Sequence, residues 1–266
     1  MRPYLSFFKL RFAMGLQYRF SAFAGLLTQF FWGIFMLLLY EAFYNNGVST
    51  PMPWKELVSY VWMGQALYTI VYFRVMDTDV MNSIQNGQVA YEFVRPLNIY
   101  WMWFVKTCAI RTSACLLRIA PIILVASLLP QQYSLTGPES IAVFFLFLAT
   151  LILGLFISTA IAMLIYIFMF YTTSCRGVFF IFSCFADFFS GMSIPIVFMP
   201  QIMQTICFIL PFRLCMDLPI RLYAGNITVS EGIESFLAQI AWVLVLTFSG
   251  NFLMKKVAKR LIVQGG

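Results

Sequence analysis

Histidine is absent from all 266 residues. Ser-His and Cys-His nucleophile pairs, imidazole metal ligands and imidazole pH switches are excluded with it. Charge is scarce too: Asp, Glu, Lys and Arg make up 10% of the chain, against about 25% in an average soluble domain. With 62% hydrophobic residues, so little charge cannot cover a soluble surface. The same balance excludes disorder. No GxxxxGK[ST] or other glycine-rich phosphate loop occurs, so the chain has no means of its own to hydrolyse ATP. What remains is an all-α, polytopic membrane protein.

The hydrophobic residues lie in long runs between charges. Uncharged stretches cover 20–40, 57–73, 119–138, 140–175, 188–212 and 235–254. A bilayer core of about 30 Å needs about 20 apolar residues in a helix. The 140–175 run is too long for one upright span and too short for two, which predicts one long tilted helix. The 188–212 run holds Pro195, Pro200 and Pro211, so it is not one straight helix. Six transmembrane helices are expected, over about 20–42, 56–75, 105–129, 140–171, 177–198 and 233–254. They form a single transmembrane domain, 1–266. A re-entrant, broken region is expected over 199–225, tolerable at membrane depth only when packed in protein or lining a cavity. The first run has spanning length and lacks a signal-peptide cleavage pattern, so it is read as a true first helix.

The basic residues sort by side. With the N- and C-termini inside, thirteen Lys and Arg fall on the inner side and Lys55, Arg213 and Arg221 on the outer. This is a positive-inside pattern. It explains the net charge of +7 without a nucleic-acid partner, which needs a basic face on a soluble module. Residues 1–19 mix Phe7, Phe8, Leu10 and Phe12 with Arg2, Lys9 and Arg11, as in an interfacial helix whose basic heads snorkel. The outer connection over 43–54 carries Asn45, Asn46, Gly47, Pro51 and Pro53 and reads as a short turn. The six cysteines show no CxxC and read as small apolar residues. A Cys207–Cys215 bridge is the one pairing considered.

The inner loop, 76–104, is the most informative stretch. Asp77 or Thr78 can cap a helix start and Gly87 can end it. A short helix over about 78–86 follows, with Val80, Met81 and Ile84 on one side. A second short segment, Val89 to Val94, stops before Pro96, which disfavours helix at Arg95. Trp101 and Trp103 mark the membrane interface before the third span. A short helix lying along the inner surface is a docking surface for a soluble partner.

Residues 83–100, SIQNGQVAYEFVRPLNIY, resemble the first cytoplasmic loop of ABC type-2 permeases. They are most similar to a bacterial branch with a Gly-x-Ile/Val-Ala…Arg-Pro-Leu pattern, matched by Ser83, Ile84, Gly87, Ala90, Arg95, Pro96 and Leu97. The layout also resembles that family's: basic interfacial N-terminus, six spans and a broken segment before the last. The resemblance implies a permease subunit in the bacterial cytoplasmic (plasma) membrane. It would pair with a second permease subunit, identical or homologous, and be coupled to two ABC ATPase subunits. The cofactor expectation is none in this chain, ATP with magnesium being bound by the partner ATPase. The loop would be the coupling helix, with Asp77, Asp79, Ile84, Gly87, Glu92, Arg95 and Pro96 as ATPase-coupling residues. Export of a hydrophobic or amphipathic cargo, drug, peptide or lipid-like, is the implied direction.

Two charges fall inside expected spans, Arg118 and Asp187. A charge at the bilayer centre costs about 2.5–3.5 kcal/mol on insertion scales. The two are expected to pair or to face a wet cavity on the transport path. Gly191, Pro195, Pro200 and Pro211 would shape an outer gate. The alternative function is a secondary transporter or channel using Arg118 and Asp187. An intramembrane enzyme is disfavoured by the lack of histidine and of paired inward carboxylates.

Overall fold

The computed structural model describes residues 2–17, 19–46, 50–172 and 175–264, the side chains of 19–21 and 260–264 excepted. Gly47 of the outer connection lies outside the described residues. The regular structure among the described residues is helical: α1 (Arg2–Gln17), α2 (Arg19–Asn45), α3 (Trp54–Val71), α4 (Thr78–Gln85), α5 (Ala90–Phe93), α6 (Ile99–Leu128), α7 (Ile141–Met169), α8 (Cys175–Phe189), α9 (Gln201–Ile209), α10 (Asp217–Ala224) and α11 (Val229–Gln264). Single 3₁₀ turns occupy Ile196–Phe198 and Pro211–Leu214.

Among the described residues, four helices are long and apolar enough to cross a membrane. These stretches are Ala22–Asn45, Ile99–Leu128, Ile141–Met169 and Val229–Lys259. α7 follows the one-long-helix expectation for the 140–175 run: 29 residues make about 43 Å. α3 has spanning length, 18 residues, but begins with Lys55 and Glu56. α8 has 15 residues, about 22 Å, and falls short of a 30 Å hydrocarbon core.

Two boundaries differ from the sequence-based expectation. The helix expected from 105 begins at Ile99, because the Asn98 side chain caps it by accepting from the Trp101 N–H at 3.3 Å. The helix expected over 177–198 stops at Phe189. Gly191 follows it at φ +82°, a left-handed turn that ends a helix, and Pro195 then starts the 3₁₀ turn. The region expected to be broken, 199–225, holds α9, a 3₁₀ turn and α10.

α6 is the central element. α1 runs along one side of it and α3 along another, while α7 packs against α6, α10 and α11. In lipid, apolar burial gives no net drive between helices, so close packing and hydrogen bonds hold them. α2 approaches α3 closely because residue 33 is glycine: a Cβ there would lie 2.7 Å from the Trp62 ring. Trp62 is itself fully buried and its indole N–H donates to the Tyr133 carbonyl at 2.9 Å.

Candidate functional site

The loop between α3 and α6 is built from its cap upward. Asp77 accepts from the Asp79 N–H at 3.0 Å and so starts α4. Val80 is buried beneath the helix, and Met81 and Ile84 pack on the core. The other face is exposed and carries Thr78, Asp79, Asn82 and Gln85. Gly87 reverses the chain at φ +73°, a conformation a side chain resists. The Val89 N–H then returns to the Ser83 carbonyl at 3.0 Å. α5 ends at Phe93, and Arg95 and Pro96 are exposed beyond it.

Three attachments fix this loop to the helices. The Asp77 N–H donates to the buried Tyr166 hydroxyl of α7 at 2.7 Å. Arg11 of α1 reaches Asp79 at 2.6 Å and Asp77 at 3.3 Å. Glu92 accepts from the Trp103 indole N–H at 2.6 Å and faces Lys106 at 3.7 Å. Burial pushes the Asp77 carboxyl above its ordinary range, an effect Arg11 opposes. Burial opposes the charge on Arg11 as well, but the Asp79 and Asp77 carboxylates together hold the guanidinium above its ordinary value.

Arg111 anchors the root of the loop. It is fully buried. Its Nε donates to the Val75 carbonyl at 3.1 Å, and its Nη1 to Ser158 Oγ at 2.7 Å and the Ile70 carbonyl at 3.4 Å. One side chain on α6 thereby joins the end of α3, the strap leading to α4, and α7. The charge count assigns Lys106 and Arg111 to the inner side, at the start of the helix expected over 105–129. The Asn98 cap is the sequence signal that would have started this helix at Ile99.

Arg118 and Asp187 do not pair with each other. The partner of Asp187 is Arg74, at 3.5 Å, and Asp187 Oδ1 also accepts from the Phe73 N–H at 3.3 Å. Arg118 Nη1 donates to the Ala114 carbonyl of its own helix at 3.1 Å. Both residues line one open cavity of about 860 Å³, walled by α2, α3, α6, α8 and the turn after α8.

Polar side chains around the proline-rich region form a buried network. The Tyr60 hydroxyl of α3 lies 2.9 Å from Asp217 Oδ1, to which it donates, and 3.1 Å from the Gly191 carbonyl. Asp217 faces Arg221 at 3.8 Å. Arg221 Nε donates to Asn226 Oδ1, and Asn226 Nδ2 to Glu56 Oε2, each at 2.7 Å. Pro195 and Pro200 precede the first 3₁₀ turn and α9, and Pro211 opens the second. Cys207 and Cys215 are buried free thiols and form no bridge. Tyr60 and Asp217 were not legible as a pair, since 157 residues separate them.

Residues 30–265 match the family model described as ABC-2 family transporter protein. Comparison with curated proteins finds no match.

Proposed function

The chain belongs to the ABC-2 family of transporter proteins and is a multi-pass membrane permease component, not itself an ATPase; from that premise we propose that it exports cargo through movements of α4 driven by a separate ATPase. The family implies association with an ABC ATPase subunit. In our reading, two such subunits serve a pair of permease chains, identical or homologous. The chain spans the bacterial cytoplasmic membrane six times as one transmembrane domain with both termini inside, through α2, α3, α6, α7, α11 and a sixth crossing in which the segment after Phe189 makes up the length that α8 lacks. α1 then lies in the inner interface. ATP and its magnesium bind the partner alone.

The observation that carries this reading is the mounting of α4. Its outer face is polar and exposed, while its start is tied to α7 by Tyr166 and to α1 by Arg11. The strap that precedes it is held by Arg111. A push on the exposed face therefore reaches three helices. Asp79, Gly87, Arg95 and Pro96 lie on the exposed side and serve as ATPase contacts. Asp77, Ile84 and Glu92 are engaged within the chain and transmit rather than touch. The cavity holding Arg118 and Asp187 is the cargo chamber, and its mixed walls suit a hydrophobic or amphipathic cargo. The Tyr60–Asp217–Gly191 network forms the outer closure, shaped by Pro195, Pro200 and Pro211.

The test is co-purification of an ATP-binding protein with the chain, followed by reconstitution of the pair. Gly87→Val and Arg95→Ala are expected to leave the permease folded and to lower transport per ATP hydrolysed. The strain of a side chain at a left-handed position, about 1–2 kcal/mol, corresponds to roughly five- to thirtyfold. Wild-type stoichiometry in both variants would remove α4 as the docking element.

A further inference from the structure

The 860 Å³ cavity is within the size range of small-molecule sites, and its charges do not balance. Three charged residues line it: Arg74, Arg118 and Asp187. Arg74 and Asp187 face each other at 3.5 Å, and Asp187 is further occupied by the Phe73 N–H. Arg118 is left over. Among the described residues no carboxylate stands within ion-pair distance of it, and its one hydrogen bond goes to the Ala114 carbonyl. A guanidinium offers five N–H donors, and among the described residues the Ala114 carbonyl takes one.

The opposite wall is shaped around that guanidinium. A Cβ at Gly25 of α2 would lie 2.9 Å from Arg118 Nη2 and 3.2 Å from Nε. The cation thus lies against bare backbone and is held at the cavity wall. Gln29, one turn further along α2, is buried and its Oε1 has no hydrogen-bond partner. It lines the same cavity, beside Thr28, Gln65 and Thr69. The remainder of the lining is aromatic and aliphatic, with Trp32, Met36, Tyr40, Tyr68, Phe188 and Met192. A lone cation in a low-dielectric site calls for a counter-ion, and the apolar walls call for hydrocarbon beside it.

We propose that this cavity binds an amphipathic anion, with Arg118 holding its carboxylate or phosphate headgroup and the Trp32–Met36–Phe188 wall its hydrocarbon. Arg suits such a headgroup because its planar fork can meet two oxygens at once. That the ligand is also the cargo rests on the exporter reading above; that it binds does not.

The test uses the full chain in nanodiscs of zwitterionic phosphatidylcholine. The probe is 9,10-dibromostearate, whose bromines quench tryptophan, read against its uncharged methyl ester. A second arm places dibrominated phosphatidylglycerol in the disc, which separates a membrane lipid from a free amphiphile as the source. Saturable quenching by the anion and not by the ester is expected, and Trp32→Phe should remove it. Arg118→Gln should weaken binding about tenfold or more, the loss of a charge-assisted contact, while Arg118→Lys, which keeps the charge and loses the fork, should lose less than Arg118→Gln does. Equal binding by wild type and Arg118→Gln, or equal quenching by acid and ester, overturns the site. If Arg118→Gln yields no folded protein, Gly25→Asp sets a carboxylate beside the guanidinium and supplies its counter-ion from within the chain, and unchanged affinity there overturns it equally. Efflux with the partner ATPase is scored separately. Arg118-dependent binding without ATP-driven efflux would sink the exporter reading and leave the site standing; the reverse result would do the opposite.

Discussion

Removing the Tyr166 hydroxyl is the sharpest test of how α4 is connected to the helices. Tyr166→Phe deletes one atom from a ring that stays packed on Trp103, 5.7 Å away between centroids. The Asp77 N–H, which donates to that hydroxyl at 2.7 Å, then faces α7 without its partner. A buried donor left unsatisfied costs about 1–3 kcal/mol. About 2 kcal/mol is a factor of roughly 30 in the bias that holds the start of α4 on α7. The fold should survive, since the ring volume is kept. What should suffer is the ratio of transport to ATP hydrolysis in the reconstituted complex, by about fivefold or more. Tyr133→Phe is the control. Its hydroxyl donates to Glu41 at 2.8 Å, a bond of similar length in the connection beyond the far end of α6. Thermal stability of both variants is followed by size exclusion after heating. If Tyr166→Phe couples as wild type does, or if both variants lose coupling equally, the mechanical link through Asp77 is refuted.

Two further outcomes follow from the same geometry. Gly191→Ala should destabilise by about 1–3 kcal/mol, because φ is +82° and the new Cβ would stand 3.0 Å from the Tyr60 hydroxyl and 3.1 Å from Asp217; an unshifted melting temperature would contradict the network. The Asp77 carboxyl sits above its ordinary value of 3.8, so its effect on stability is most favourable at acid pH and is lost as pH rises through the folded-state value. Arg11 counters that loss at neutral pH. Arg11→Ala should therefore make melting temperature fall more steeply than wild type between about pH 4 and 7, and parallel pH profiles would refute the Arg11–Asp77 contact.

The composition made the membrane class legible, because 62% hydrophobic content and 10% charge admit few other solutions. The α4 boundaries were legible too, since the Asp77 cap and Gly87 act within a few residues of the helix they bound. α7 was readable from the uninterrupted run over 140–175. The start of α6 was placed at 105 instead of Ile99, since Trp101 and Trp103 read as the interface before a span that opens beside Lys106. In the fold its charge is met by Glu92 and by the ring of Phe7, 5.5 Å away. α8 was drawn too long, because hydrophobicity continues past Phe189 while the backbone turns at Gly191. The partner of Asp187 was misjudged for a different reason. Arg74 sits at the end of an apolar run, where charge spacing assigns it to the inner loop, yet it turns back to line the cavity.

By itself, the sequence determined that this chain lives in a membrane, that it carries no phosphate loop, and where its surface helix begins and ends. These are local or compositional properties, set by hydropathy and by cap residues adjacent to what they cap. Only the tertiary structure decided which polar groups meet. Arg111 with Val75 and Ser158, Tyr166 with Asp77, Tyr60 with Asp217, and Arg118 with no carboxylate among the described residues are matters of helix rotation and packing. Hydropathy constrains a helix's depth but hardly its rotation, because lipid accepts nearly any apolar face. The few polar side chains, which must find partners away from water, set the rotation instead.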